Sequence, residues 1–380
     1  MRVPVAAVAT LLFAASAQPS IAQVFRPSGA PAADNLTVEA VASGLNFPWA
    51  IAFLPDGRML VTERAGRLRI IAQDGKASPP VSGVPQVFAR NQGGLHDVIL
   101  DRGFAKNGTI YFCFAAPVSG GGQTAMARGR LVDGNTPRLD EVKVIFQQEG
   151  PPSTGVHFGC RIVQARDGNL FLTTGDHGGH RNEAQNLGNH LGKVIRVTPD
   201  GGVPQDNPFA KRVGAKPETW SYGHRNMQGA ALHPDIGKLW THEHAARGGD
   251  EVNIPEAGKN YGWPVINYGV DYSGAKIGAS THRQGMEQPV KYWVPSIAPS
   301  GMAFYTGTLF PAWRGNMFVG ALVGQMLVRL EISGETVGKE ERLLQNLRER
   351  IRDVRQGPDG ALYLATDSNN GRILRISPGQ

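Results

Sequence analysis

The chain has 380 residues, 41% of them hydrophobic, 19% charged and 8% aromatic, which excludes an intrinsically disordered chain. After the first two dozen positions no apolar run approaches the ~20 residues of a membrane span, which excludes a multi-span membrane protein. The formal charge is +7, but Lys and Arg are dispersed without a run of five. That argues against a nucleic-acid partner and leaves room for a small anionic ligand.

In chain order, the first element is MRVPVAAVATLLFAASAQPSIAQ. Arg2 followed by an apolar stretch from Val3 to Ala15 and small residues predicts a secretory signal peptide over 1–22, cleaved after Ala17 or Ala22. The mature protein is then expected in the periplasm or outside the cell, without a transmembrane segment. Residues 23–35 read as a loose tail, and 36–380 as one domain. Leu36–Leu45 (LTVEAVASGL) is strand-like.

Six segments then repeat one pattern: an apolar stretch, a tight turn ending in Gly, and an alternating strand. They are Trp49–Arg64, Leu95–Ala115, Cys160–Asp176, Met227–His244, Ser300–Leu322 and Ile351–Asp367. Their turn glycines are Gly57, Gly108, Gly168, Gly237, Gly315 and Gly360, at unequal spacings that mark loops inserted on a constant unit. With 49 Gly and 26 Pro, the chain reads as short strands and turns. A lone hairpin cannot bury its apolar face, so six of them predict an all-β, six-bladed propeller with four-stranded antiparallel blades. Such a ring needs its ends joined, which pairs Leu36–Leu45 with RILRIS, Arg372–Ser377. Cys113 and Cys160 are the only cysteines; with no CxxC they are expected to be buried small hydrophobes rather than a disulfide.

Equivalent phase in a radial repeat means equivalent height. His157 and Asn226 each lie 11 residues before their turn glycine, Arg225 adjoins Asn226, and Arg350 and Arg352 lie 10 and 8 before Gly360. Gln92 precedes its own inner strand. These polar groups are predicted to ring one mouth of the central channel, as a pocket for a polar, anionic ligand.

The stretch Glu218–Pro264, with SYGHRN, GGDEVN and NYGWP, joins HFGCRI, NQGGLHDVIL, PSIAPSGM and RERIRDV. Together these resemble the soluble quinoprotein glucose dehydrogenase family, and within it the aldose sugar dehydrogenases, from about Asn46 to Ile376. The resemblance implies a six-bladed propeller that uses pyrroloquinoline quinone (PQQ) and calcium to oxidise the anomeric carbon of aldoses, passing electrons to an external quinone, dye or cytochrome. It implies that His157 is the general base and that Arg225 contacts the quinone oxygens. It places Gln92 and Asn226 against the cofactor, and Arg350 and Arg352 on its carboxylates. Calcium would be held by the carbonyls of Ala245 and Ala246, where the family usually has Gly and often Pro. Val323 stands where family members often carry a cofactor-contacting lysine, which implies weaker cofactor retention. The alternatives are a non-enzymatic sugar- or protein-binding propeller and a calcium-dependent propeller lactonase. His242 and His244, alternate on a strand, lack an evident third ligand for zinc.

Overall fold

The computed structural model describes residues 35–379. The proposed signal peptide, and all of the tail but Asn35, lie outside the described residues.

Each of the six repeats forms the inner hairpin of one antiparallel sheet. The innermost strands are Pro48–Phe53, Leu95–Leu100, Gly159–Gln164, Met227–Leu232, Pro299–Phe304 and Ile351–Gln356. Each packs against the innermost strands of its two neighbours, and the last returns to the first, closing a six-bladed ring. All six turn glycines adopt left-handed φ, between 63° and 90°. That shared backbone state, which a side chain resists, is what the sequence repeat encodes.

The chain ends close the ring as expected. Leu36–Leu45 pairs antiparallel with Gly371–Pro378 from Leu36↔Pro378 to Leu45↔Gly371, forming the outer strand of blade 6. Five sheets have four regular strands, and blade 1 has three. Its fourth position is an irregular segment in which Ser78 N donates to Ile70 O and Val81 N to Leu68 O, both at 2.8 Å. Pro79 and Pro80 lie between those bonds and have no N–H to continue the ladder.

The expectation for the cysteines is corrected. Both are fully buried, but they form a disulfide. Cys113 lies on the second strand of blade 2 and Cys160 on the inner strand of blade 3. The ring brings their Cα atoms to 5.7 Å, within disulfide range. A separation of 47 residues in the chain carries no hint of that proximity.

Between the blades lie apolar layers such as Trp49, Leu95, Phe112 and Phe114. On the channel axis the core turns ionic. Arg161 Nη1 pairs with Asp97 at 3.2 Å and Nη2 with Asp353 at 2.9 Å, all three buried. This plug forms a floor beneath one mouth.

Candidate active site

The predicted ring residues sit at the N-terminal ends of the innermost strands. Gln92 precedes Leu95–Leu100, His157 precedes Gly159–Gln164, Arg225 and Asn226 precede Met227–Leu232, and Arg350 and Arg352 flank the start of Ile351–Gln356. Equal phase has therefore become a common mouth. Gln92, His157, Arg225, Ala246 and Trp263 line one cavity of about 400 Å³. An adjoining cavity of about 490 Å³ is lined by His244, Ala245, Ala246 and Val323.

His157 is held through its ring and its backbone. Its Nδ1 lies 2.6 Å from Asp176 Oδ1, its backbone N donates to Gln92 Oε1 at 2.9 Å, and its φ is 54°. Gly175 supports this backbone, since a Cβ there would come within 1.8 Å of the His157 carbonyl oxygen. Asp176 is fully buried and also accepts from Trp263 Nε1 at 2.8 Å and Gly178 N at 2.8 Å. Burial lowers the His157 pKa, the nearby Arg225 charge lowers it further, and Asp176 opposes both. The imidazole is therefore neutral near pH 7, with Nδ1–H donated to Asp176 and Nε2 available as a base.

Arg225 is anchored by its Nη1, which donates to His244 O at 2.9 Å and Ala245 O at 2.6 Å. Its guanidinium lies 5.3 Å from the Trp263 ring centroid, and its backbone N donates to Glu243. Asn226 Oδ1 accepts from Gly159 N at 3.1 Å. Arg350 and Arg352 do not line the His157 cavity. They converge on Asp367 Oδ2, at 3.0 and 3.4 Å. Arg350 Nη1 donates to Leu322 O, next to Val323, while Arg352 Nη1 donates to Gln228 Oε1 at 2.7 Å.

Three buried donors around this mouth have no hydrogen-bond partner among the described residues: Arg225 Nε, Asn226 Nδ2 and Arg352 Nε. Buried donors are normally satisfied, so orphans at three of the predicted cofactor positions mark where an acceptor-rich ligand belongs. Charge points the same way. Burial lowers the pKa of Arg352; Asp367 opposes this, and Arg161, Arg64 and Arg350 add to it. Arg350 and Arg352 share a single carboxylate, Asp367, which leaves that pair with excess positive charge.

Ala245 and Ala246 are both buried, and neither has a left-handed φ. The loop thus needs no glycine at these positions; the left-handed turn falls on Gly248 and Gly249. Ala245 O is already engaged by Arg225. Among the described residues no group of three or more His, Cys, Asp or Glu is placed to hold a metal. Val323 is 65% exposed on the rim.

Sequence reasoning missed the acidic residues that hold this ring. Asp176 orients His157, Glu243 fixes the Arg225 backbone, and Asp367 pairs both arginines of blade 6. Each returns to the mouth at or just beyond the end of its blade's second strand. The signal was present: an acidic residue lies six to eight positions after the turn glycine in these three repeats.

The profile of the Glucose / Sorbosone dehydrogenase family matches residues 45–375. The chain is 45% identical over 353 residues to aldose sugar dehydrogenase YliI of Escherichia coli, covering 92% of this chain and 94% of that protein. The apo crystal structure of the soluble E. coli aldose sugar dehydrogenase superposes with a TM-score of 0.88 at 44% identity, covering 90% of this chain and 99% of the other. The PQQ-bound aldose sugar dehydrogenase of Streptomyces coelicolor gives 0.75 at 27% identity, covering 92% and 100%. The chain belongs to the Glucose / Sorbosone dehydrogenase family.

Proposed function

We propose that this protein is an exported, PQQ- and calcium-dependent aldose sugar dehydrogenase that converts the anomeric C–OH of glucose and related aldoses to a lactone. The observation that carries the reading is the set of orphaned donors on Arg225, Asn226 and Arg352 beside His157, which is paired with the buried Asp176. PQQ, a flat tricarboxylate, supplies acceptors for all three. The PQQ-bound relative supports that choice of ligand.

When bound, PQQ supplies a quinone that accepts hydride from C1. His157 Nε2 takes the proton of the C1 hydroxyl, while Asp176 fixes the tautomer and stabilises the imidazolium that forms. Arg225 offers a fixed guanidinium to charge growing on the quinone oxygens. Arg350 and Arg352 hold carboxylates, with Gln92 and Asn226 as further contacts. C1 thus loses its hydrogen with the bonding pair and its hydroxyl loses a proton. The two electrons leave for an external quinone, dye or cytochrome. Calcium would be held by the carbonyls of Ala245 and Ala246. These donors are neutral and Arg225 adjoins them, so a cofactor carboxylate at this loop would add negative charge favourable to the ion.

Arg2 and the apolar segment behind it support export, and the Cys113–Cys160 disulfide fits an oxidising compartment. N-terminal sequencing of the exported protein should begin at Gln18 or Gln23. Apoprotein should gain dye-linked glucose oxidation on addition of PQQ and calcium, and a chelator should remove it. Activity with NAD alone would refute the assignment.

A further inference from the structure

The outer edge of the His157 cavity is formed by Arg181, Asp271 and Tyr272, which no step above uses. Arg181 opens a short 3-10 segment, Arg181–Gln185, inserted in blade 3. Asp271 and Tyr272 lie at a tight turn in the long insertion of blade 4, where Asp271 N donates to Ala275 O and Gly274 N to Asp271 O, both at 2.8 Å. The two insertions face each other across the mouth, with Arg181 Nη1 3.6 Å from Asp271 Oδ2. At that distance they attract without a direct hydrogen bond, so both retain capacity for a ligand. Tyr272 is 67% exposed, and it lines both the His157 cavity and the adjoining one.

This rim is held rigidly. Gln185 and Asn260 exchange side-chain hydrogen bonds at 3.0 and 2.8 Å, and Gln185 Nε2 also donates to Trp263 O at 2.7 Å. The buried ammonium of Lys193 donates to Glu183 O and Ala184 O at 3.1 Å, pinning the 3-10 segment from below. Ala184, Ala246, Trp263 and Ile277 form one apolar cluster. It ties both insertions to the proposed calcium loop and to the Trp that holds Asp176. The segments that carry the rim are thus fixed, and only the exposed side chains need ordering on binding.

We infer that Arg181, Asp271 and Tyr272 recognise the part of the sugar remote from C1 and so set aldose preference; this rests on the dehydrogenase reading above. A sugar presents vicinal hydroxyls on one edge and a C–H face on the other. A carboxylate and a guanidinium, each with unused capacity, suit the hydroxyl pair, and an exposed tyrosine ring suits the C–H face. The arrangement of the mouth separates the two ligands. A cofactor held by Arg225, the Ala245 carbonyl and Arg350, as proposed above, would leave the space between His157 and this rim for the sugar.

The test compares Asp271→Asn, Tyr272→Ala and Tyr272→Phe by three readouts: KM and kcat for glucose, PQQ affinity from absorbance titration, and calorimetric binding of methyl β-glucoside, which cannot be oxidised at C1. Asp271→Asn should raise KM and the glycoside Kd roughly threefold to thirtyfold, since its charged contact is partly screened. Tyr272→Ala should raise both about threefold to tenfold, and Tyr272→Phe should restore most of the binding. PQQ affinity and melting temperature should stay near wild type in all three. If the protein turns over but Asp271→Asn and Tyr272→Ala bind the glycoside within twofold of wild type, the rim assignment is overturned. A wild type that binds the glycoside, with the variants weakened, but reduces no PQQ supports the rim and overturns the dehydrogenase reading.

Discussion

His157 Nδ1 and Asp176 Oδ1 lie 2.6 Å apart, and the carboxylate that completes this pair is also held by Trp263 and the Gly178 amide. Asp176 therefore has a fixed position from which to set both the tautomer and the basicity of His157. Replacing it with Asn should lower turnover by about one to three orders of magnitude. It also removes the group that raises the His157 pKa against burial and Arg225. The acidic limb of the rate profile, which lies below the ordinary histidine value of 6.5, should then move to still lower pH. An unchanged limb in single-turnover measurements would show that His157 is not the titrating base.

His157→Ala and Arg225→Ala should fail differently. Removing His157 takes away only the proton acceptor, so PQQ titration should look nearly normal while turnover falls by roughly two to four orders of magnitude. Removing Arg225 loses a cofactor contact and the charge that stabilises reduction, so both PQQ affinity and turnover should drop. Comparing PQQ Kd with kcat for the two variants separates the roles.

Val323→Lys should strengthen PQQ binding by adding a cation to an anion site. Because Val323 is 65% exposed, solvent screens the new charge, and the gain should be about threefold to tenfold rather than that of a buried contact. The salt dependence of PQQ affinity should rise with it. A Kd equal to wild type at low salt would place Val323 outside the cofactor's reach.

The propeller was legible because its repeat is local: a turn glycine in left-handed φ recurs in all six blades, and its phase put His157, Arg225, Asn226, Arg350 and Arg352 at the N-terminal ends of their innermost strands, though Arg350 and Arg352 do not line the His157 cavity. The acidic partners were less visible, since Asp176, Glu243 and Asp367 occupy similar rather than identical offsets. The Cys113–Cys160 disulfide was misjudged because it depends on blade-to-blade contact, and the rim of Arg181, Asp271 and Tyr272 could not be read because insertions carry no repeat phase.

Stability should depend on pH through histidines buried as neutral groups. Burial depresses His96 and His242 to about 3 and His177 to about 4. In the unfolded chain they protonate near 6.5, so between about 6.5 and about 4 the unfolded state binds more protons than the folded one. Stability is therefore lost as pH falls through that window, by up to ~1.4 kcal/mol per histidine per pH unit. The apoprotein's melting temperature should decline steadily from pH 7 to pH 5. A flat profile would show that these rings are protonated or exposed in the folded state.

The most direct test of the central claim is stopped-flow absorbance of PQQ in calcium-loaded protein mixed anaerobically with glucose. Wild type should reduce bound PQQ rapidly, and His157→Ala should do so roughly two to four orders of magnitude more slowly at unchanged PQQ occupancy. Reduction at the wild-type rate in His157→Ala would contradict that claim.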